Sequence, residues 1–173
     1  MKNKNTIIFS VVIIIILFGL VWYSKPGKNE SKEINTTPNS SNISSVLALK
    51  ASEILYDFGV ISMKNGNVSK KFTITNPTDE NIFISSLTTS CMCTNAYFIQ
   101  LDGNKKGPFS MPGMGFVPKL NENIKAGESR DIEVVYDPNA HGPAGVGMID
   151  RFVYLEDSSG KKLQLEIKAN VTP

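Results

Sequence analysis

Cysteine and histidine are scarce in this sequence. Its 173 residues include two cysteines, Cys91 and Cys93, and one histidine, His141. Two cysteines separated by a single residue cannot supply the several cross-links that hold small secreted scaffolds together. A folded domain must therefore be stabilised by burial of apolar side chains, and a hydrophobic content of 41% is sufficient for that.

An excess of charge of one sign is also missing. The chain has 18 basic and 16 acidic residues, and without Lys2 and Lys4 the basic total falls to 16, equal to the acidic one. The chain after its N-terminus is therefore neutral and has no basic stripe. This balance argues against a nucleic acid as the main partner.

The N-terminus contains the one long apolar run. Residues 6–23 are 18 uncharged residues, ending in Trp22 and Tyr23. As a helix rising 1.5 Å per residue they would span about 27 Å, close to the thickness of the hydrocarbon core of a bilayer. Aromatic residues at its end favour the membrane interface. We predict a transmembrane helix, with residues 1–23 as a signal anchor that contacts the lipid bilayer through residues 6–23.

Two other kinds of N-terminal segment fit less well. A cleaved signal peptide has a shorter apolar run and a site flanked by small residues, whereas this run ends in Trp22-Tyr23-Ser24-Lys25-Pro26. A lipoprotein needs a cysteine directly after the run, and the first one is Cys91. Lys2 and Lys4 favour a cytoplasmic N-terminus, with Lys25 and Lys28 competing. We expect a single-pass membrane protein whose C-terminal domain lies outside the cytoplasm.

Residues 24–45 form a polar segment rich in Asn, Ser, Thr, Lys and Glu. Such a composition buries too little apolar surface to offset the entropy lost on ordering. We predict a flexible stalk.

From residue 46 onward the pattern changes to alternation of apolar and polar residues, separated by turn signals such as Asn76-Pro77 and Asp137-Pro138. No long segment here has the 3.6-residue period of a helix. Six or seven short strands indicate an all-β, immunoglobulin-like two-sheet sandwich over residues 46–173. Six residues are predicted to face its core: Phe58, Phe72, Ile74, Ile84, Val134 and Phe152. Residues 97–123 contain so much Gly and Pro that we predict a long loop there.

Four short motifs have a familiar order along the chain. They are Asp57-Phe58-Gly59-Val60, Val68-Ser69-Lys70 leading to Asn76, Thr89-Ser90-Cys91-Met92-Cys93-Thr94, and Ala126-Gly127-Glu128-Ser129. Together they resemble a bacterial family of uncharacterised Ig-like domains with a Ser-Cys-Gly-Cys-Thr element, here Ser90-Cys91-Met92-Cys93-Thr94. That family is distantly similar to Hydin and major-sperm-protein sandwiches. The resemblance spans about residues 53–171 and implies the fold and an extracytoplasmic location. This sequence departs from it at Met92, which replaces glycine, and in its longer Gly/Pro/Met loop.

The two cysteines permit several chemistries. Alternate residues on one face of a strand lie about 6.5 to 7 Å apart, at the outer limit for a disulfide. A bridge there would be strained and easily reduced, so reversible oxidation is possible and a stable structural disulfide is not expected. Burial as small apolar side chains is the plain structural alternative. Free thiols outside the cytoplasm are nevertheless unusual unless something holds them.

A soft-metal site is the most specific hypothesis. Its candidate ligands are Cys91, Cys93, Met111, Met114 and His141. Thiolates, thioethers and an imidazole select Cu(I) over Ca²⁺ or Mg²⁺, and thioethers are poor ligands for zinc, the main rival. Blue-copper sites need two histidines, so we expect capture, storage or transfer of Cu(I).

Catalysis is not expected from these residues. A Cys–His nucleophile needs an oriented third group, and none is indicated beside His141. The alternative to a metal protein is a structural or protein-interaction module of the cell envelope, because sandwiches of this kind serve many such roles. On that interpretation another envelope protein is the partner and the sulfur residues are incidental.

Overall fold

A computed structural model describes residues 46–173, which form ten β-strands and two short 3-10 helices. The strands are β1 (Lys50–Ala51), β2 (Leu55–Ser62), β3 (Val68–Thr75), β4 (Ile82–Thr89), β5 (Thr94–Ile99), β6 (Lys105–Phe109), β7 (Glu122–Ile124), β8 (Ser129–Tyr136), β9 (Gly147–Asp157) and β10 (Lys162–Thr172); the 3-10 helices are Met63–Asn65 and Gly142–Gly145. None of the helices within residues 46–173 is long and apolar enough to cross a membrane. The predicted anchor and stalk, residues 1–23 and 24–45, lie outside the described residues.

The strands form two five-stranded sheets. The first sheet has the order β1-β3-β8-β5-β6 and the second β2-β10-β9-β4-β7. Neighbouring strands are antiparallel except β10 and β2, which are parallel. The predicted all-β two-sheet sandwich is confirmed, and its architecture is consistent with an Ig-like domain.

The core lies between the sheets and is built from alternate residues of each strand. Four of the six predicted core residues, Phe72, Ile74, Ile84 and Val134, have no exposed surface, and Phe58 is half-buried against the core. Apolar alternation therefore identified the inward faces of β3, β4 and β8, as expected where one face of a strand is buried.

Strand β9 contradicts the sequence-based assignment of its inward face. Val153 and Leu155 are fully buried, whereas Phe152 is half-buried and its ring stacks on Tyr154, with 6.3 Å between centroids. Phe152 and Tyr154 therefore lie on the outer face, and the prediction that Phe152 faces the core is wrong. Both sets of alternate residues in this strand are apolar or aromatic, so alternation does not distinguish the two faces.

The predicted loop over residues 97–123 is too long. Part of β5 and all of β6 lie within it, so the irregular segment is residues 110–121. Pro108 is tolerated because β6 is the edge strand of its sheet, where a missing N–H interrupts no inner ladder. Gly107 has φ 137°, and a Cβ there would lie 3.0 Å from the Ala96 carbonyl oxygen. Gly107 and Pro108 therefore belong to an edge strand rather than to a loop.

Two crossovers between the sheets lie at the same end of the sandwich. The first joins β4 of one sheet to β5 of the other through residues 90–93, and the second joins β8 to β9 through residues 137–146. Thr94 at the start of β5 pairs with Tyr136 at the end of β8, so the first crossover ends beside the start of the second. The first carries both cysteines and the second carries the histidine.

The burial of Phe72 gives a stability test. Because Phe72 is fully buried, Phe72→Ala should lower the free energy of unfolding by roughly 3–5 kcal/mol. Phe152→Ala, which removes the same ring from the outer face, should cost about 1 kcal/mol. Urea denaturation of both variants measures the difference. Equal losses in the two variants would contradict the assignment of β9's faces.

Candidate functional site

The cysteines lie in a tight turn between the sheets. The Thr94 N–H donates to the Cys91 carbonyl at 3.1 Å, which closes a four-residue β-turn with Met92 and Cys93 at its centre. The Cα atoms of Cys91 and Cys93 are 5.2 Å apart. This separation is shorter than that of alternate residues on a strand because the chain reverses between them.

Cys91 and Cys93 form a disulfide. The expectation that their spacing disfavours a bridge is wrong, because it placed them on a strand. In a turn their Cα separation falls within the usual range for disulfides, about 4.4–6.8 Å. The bridge spans a single intervening residue.

Hydrogen bonds fix the turn to both sheets. The Thr89 hydroxyl is fully enclosed, at 2.9 Å from the Thr94 carbonyl oxygen and 3.1 Å from that of Cys91. The Ser90 N–H donates to the Phe152 carbonyl, and the Phe152 N–H donates to the Ser90 hydroxyl, both at 2.9 Å. On the other side the Asp137 N–H donates to the Cys93 carbonyl at 2.9 Å. The turn is therefore held by β4, β9 and the second crossover.

The second crossover brings His141 to the disulfide. The Asp137 carboxylate accepts from the Asn139 N–H at 2.8 Å, and the loop then turns into the 3-10 helix Gly142–Gly145. His141 Nε2 lies 3.2 Å from Cys91 Sγ. The ligand atoms of Cys91, Cys93 and His141 all lie within 4.8 Å of one another. Residues 50 positions apart in the chain thus meet at one end of the sandwich.

The histidine loop also packs on a methionine that the sequence pattern did not single out. A Cβ on Gly145 would lie 3.4 Å from His141 Cβ and 3.7 Å from Met63 Cε, and the Asn139 side chain donates to the Met63 carbonyl at 2.9 Å. Met63 is half-buried against the core. Its side chain and its carbonyl therefore both contact the loop that carries His141.

Arg151 is a further residue of the site that sequence patterns missed. Its Nε donates to Cys93 Sγ at 3.2 Å, and Nη1 donates to the Asp150 carbonyl at 2.8 Å. Burial raises the pKa of the Tyr136 hydroxyl above its ordinary value, and the Arg151 charge opposes that rise. The guanidinium therefore adds positive charge beside the Cys93 sulfur. Arg151 reaches this position because of the register in which β9 pairs with its neighbours, and the sequence does not determine that register.

The two predicted methionine ligands lie in the segment after β6. The Thr89 N–H, at the end of β4, donates to the Ser110 carbonyl at 3.3 Å. Met111 is the residue after Ser110, so its backbone begins beside the end of β4. Met111 is half-buried, whereas Met114 is 57% exposed. Three of the five predicted residues, Cys91, Cys93 and His141, therefore lie in one cluster. The segment that contains Met111 and Met114 begins next to the strand that leads into the cysteine turn.

A surface groove of about 330 Å³ lies at the opposite end of β5, lined by residues that include Phe98, Glu122 and Arg130. Two of its charged groups are paired, Glu122 with Lys106 and Arg130 with Glu128, and the Asp102 carboxylate accepts from the N–H and the side chain of Asn104. It contains neither sulfur nor imidazole. The chemistry of this domain is concentrated at the cysteine end, not in the groove.

The enclosed hydroxyl of Thr89 provides a test of how the turn is held. Thr89→Val keeps the shape of the side chain but removes the hydroxyl from the Thr94 and Cys91 carbonyls, so the free energy of unfolding should fall by about 1–3 kcal/mol. Thr89→Ser, which retains the hydroxyl, should lose clearly less. Chemical denaturation measures both. A serine variant as unstable as the valine variant would show that the methyl group, not the hydroxyl, matters.

The first part of the domain matches a known family. Residues 49–101, which include both cysteines, match the family described as "Protein of unknown function (DUF1573)". The match covers less than a third of the chain. A comparison with curated proteins finds no match.

Solved structures with a similar fold come from proteins of different kinds. A protein of unknown function from Porphyromonas gingivalis W83 is 16% identical with a TM-score of 0.50, over 75% of this chain and 51% of that one. The secreted serine protease VesC from Vibrio cholerae is 14% identical with a TM-score of 0.46, over 73% and 24%. The ASH/PapD-like domain of human CEP192 is 8% identical with a TM-score of 0.42, over 85% and 98%. The chain spans less than two thirds of the first two proteins. The likeness concerns the β-sandwich fold alone.

Proposed function

We propose that this protein binds a soft metal ion, Cu(I), through the reduced thiolates of Cys91 and Cys93 and the imidazole of His141. The observation that carries the proposal is the convergence of these three ligand atoms within 4.8 Å of one another. Metal–sulfur and metal–nitrogen bonds of about 2.0–2.3 Å need ligands at this spacing. In the disulfide form the sulfurs have no thiolate to offer, so binding requires reduction of the bridge by a thiol reductant.

The composition of the cluster favours Cu(I) over zinc. Structural zinc sites take four Cys, His or carboxylate ligands. Within residues 46–173, no Asp or Glu joins the two cysteines and the histidine. A thioether can complete the set, and Met111 and Met114 belong to the segment that starts beside the cysteine turn. Thioethers suit Cu(I) and are poor zinc ligands.

The proposed location is the outer side of a membrane. The apolar run of residues 6–23 would cross the bilayer, and residues 24–45 would tether the domain outside the cytoplasm. The disulfide supports this placement, because disulfides persist mainly in oxidising compartments. The role would be to capture, store or hand over Cu(I) there, and binding and release of this kind need no catalysis.

A protein-interaction module of the cell envelope is the second candidate. It is favoured by the segment after β6, where Phe116 is 91% exposed and Met114 is 57% exposed. Exposed apolar side chains on an irregular segment are common at sites of protein contact. In this case the partner would be another envelope protein, and metal binding would be absent.

Anaerobic titration of the reduced full-length chain with Cu(I), in detergent and against a competing chelator, tests the metal site. Wild type should bind one equivalent. Cys91→Ser/Cys93→Ser should lose more than the roughly 10–100-fold in affinity typical of removing a supporting residue. His141→Ala and Met111→Leu/Met114→Leu should each weaken binding by less. Zn²⁺ serves as the control ion and should bind more weakly.

A double cysteine variant that binds Cu(I) as tightly as wild type would exclude the site. Unchanged affinity in the histidine and methionine variants would restrict it to the cysteines. If wild type itself shows no specific binding of Cu(I), the protein-interaction module is the better proposal.

The topology has its own test. The mass of the purified protein should show that residues 1–23 are retained, and a membrane-impermeant thiol reagent added to reduced intact cells should label Cys91. A Cys91→Ser/Cys93→Ser chain serves as the unlabelled control, because these are the only cysteines. A mature N-terminus near Ser24, or labelling only after lysis, would contradict the anchor or its orientation.

A further inference from the structure

Arg151 occupies a position where a charged residue is out of place. Alternation along β9 puts it on the same face as Ile149, Val153 and Leu155, all of which are buried in the core. It stands opposite Ile167 of β10, which is also buried. Arg151 itself is half-buried, so its guanidinium loses part of its hydration, and an anion or other polar partners must offset that loss.

Among the described residues no carboxylate lies within salt-bridge distance of Arg151, although its charge acts on the neighbouring Asp150 carboxyl. The Arg151 Nε instead donates to Cys93 Sγ at 3.2 Å. A disulfide sulfur is neutral and a weak acceptor. A Cys93 thiolate in the same place would be the missing counter-ion.

The two sulfurs differ in access. Cys93 is 1% exposed and its Sγ also lies 3.7 Å from the Thr94 hydroxyl. Cys91 is only half-buried, and its Sγ lies 3.2 Å from His141 Nε2 and accepts from the Cys93 N–H at 3.3 Å. An external group can therefore reach Cys91 but not Cys93. This difference in access suits thiol–disulfide exchange, in which an external thiolate attacks one sulfur of the bridge and the other sulfur is the leaving group.

The bridge itself is poorly suited to a purely structural role. Disulfides stabilise chiefly by closing loops in the unfolded chain, and the effect shrinks with the length of the loop. Cys91 and Cys93 are two positions apart, which is close to the shortest possible loop. The turn is already held by backbone hydrogen bonds from Thr94 and Asp137.

We propose that Cys91 and Cys93 form a thiol–disulfide exchange centre, with Cys91 as the sulfur that reacts with external thiols and Arg151 stabilising the Cys93 thiolate. The substrates are compounds that carry a free thiol. This activity goes beyond the proposed binding of Cu(I) and does not depend on it.

Reduction of the bridge proceeds in two exchanges. The thiolate of an external thiol attacks Cys91 Sγ; the new S–S bond forms as the Cys91–Cys93 bond breaks, and the electron pair leaves on Cys93 Sγ beside Arg151. A second external thiolate attacks the external sulfur of this mixed disulfide, forms an external disulfide and releases Cys91 as a thiolate facing His141. Two external thiols lose two electrons and two protons, and the cysteine pair gains both. The reverse sequence reduces an external disulfide.

Trapping identifies the sulfur that reacts. The full-length chain is kept in detergent with excess chelator, so that metal binding plays no part. Reduced Cys93→Ser should form a stable mixed disulfide with oxidised glutathione at Cys91, detected as a mass increase. Reduced Cys91→Ser should react at least tenfold more slowly, because Cys93 is enclosed. Equal reactivity of the two variants, or faster reaction at Cys93, would overturn the proposal.

The role of Arg151 is tested by the rate at which glutathione reduces the bridge, followed by alkylation and mass spectrometry. Leaving-group stabilisation speeds exchange, so Arg151→Met should slow reduction about tenfold and Arg151→Lys should recover part of the loss. Arg130→Met is the matched control because Arg130 is the other arginine and pairs with Glu128. It should leave the rate unchanged. An Arg151→Met variant as fast as wild type, or a lysine variant as slow as the methionine one, would overturn the assignment.

Two thiol sources are compared with the oxidised wild type. Glutathione and a reduced unfolded protein both supply a cysteine thiolate. Oxidation of either one supports the proposal and shows whether a small thiol or a protein thiol is the substrate. The chain unfolded in urea, with the same bridge but without the Arg151 contact, is the reference. A folded chain that reacts with both sources no faster than the unfolded reference would overturn the proposal. Because chelator is present throughout, this result is independent of whether Cu(I) binds.

Discussion

The cysteine turn has to carry the chain from one sheet to the other, and the rest of the site depends on that crossing. Strands β4 and β5 belong to different sheets, so the residues between them pass over the open end of the core. The crossing takes only four residues because the Thr94 N–H closes a turn onto Cys91. Turn geometry, rather than strand spacing, sets the separation of the two sulfurs and makes a bridge possible.

The same crossing gives the sulfurs unequal surroundings. Cys93 comes directly before β5 and is enclosed by the core, while Cys91 stays half-exposed on the outer side of the turn. Ser90 and Phe152 of β9 donate hydrogen bonds to each other, which fixes the position of Arg151, the residue before Phe152, relative to Cys93. His141 reaches Cys91 from the second crossover because Thr94 and Tyr136 are paired. A cation and an imidazole therefore face different sulfurs.

Sequence reasoning succeeded where one face of a strand is clearly polar. Phe72 and Ile74 on β3 alternate with Ser, Lys and Thr, and Val134 on β8 alternates mainly with charged residues, so their burial follows from pattern alone. It failed on β9, where apolar side chains occupy both faces, so the pattern does not show whether Phe152 or Val153 faces the core. Gly107 and Pro108 suggested a loop because the sequence does not tell that β6 is an edge strand.

The candidate site was predictable in its residue types but not in its geometry. Cys91, Cys93 and His141 stand out because they are the only residues of their kinds. Their meeting needs both crossovers to lie at one end, which is a property of the topology. Arg151 gave no signal, since an arginine in a strand is ordinarily on the solvent face. Its inward position follows only from the pairing of β9 with β10, where it stands opposite Ile167.

The proposed metal site and the exchange centre share the sulfur atoms of Cys91 and Cys93 but depend on different oxidation states of these atoms. The proposed Cu(I) site uses the thiolates of Cys91 and Cys93, and the bridge forms when those thiolates lose two electrons, so one state excludes the other. Arg151 favours the reduced state by offering a counter-ion to Cys93, whereas the close approach fixed by the turn favours the bridge. A metal ion would compete with the guanidinium for the charge of Cys93, but it would meet no such competitor at Cys91. The thiol supply outside the membrane would then decide which state prevails, and the half-exposed Cys91 is the sulfur through which that supply acts.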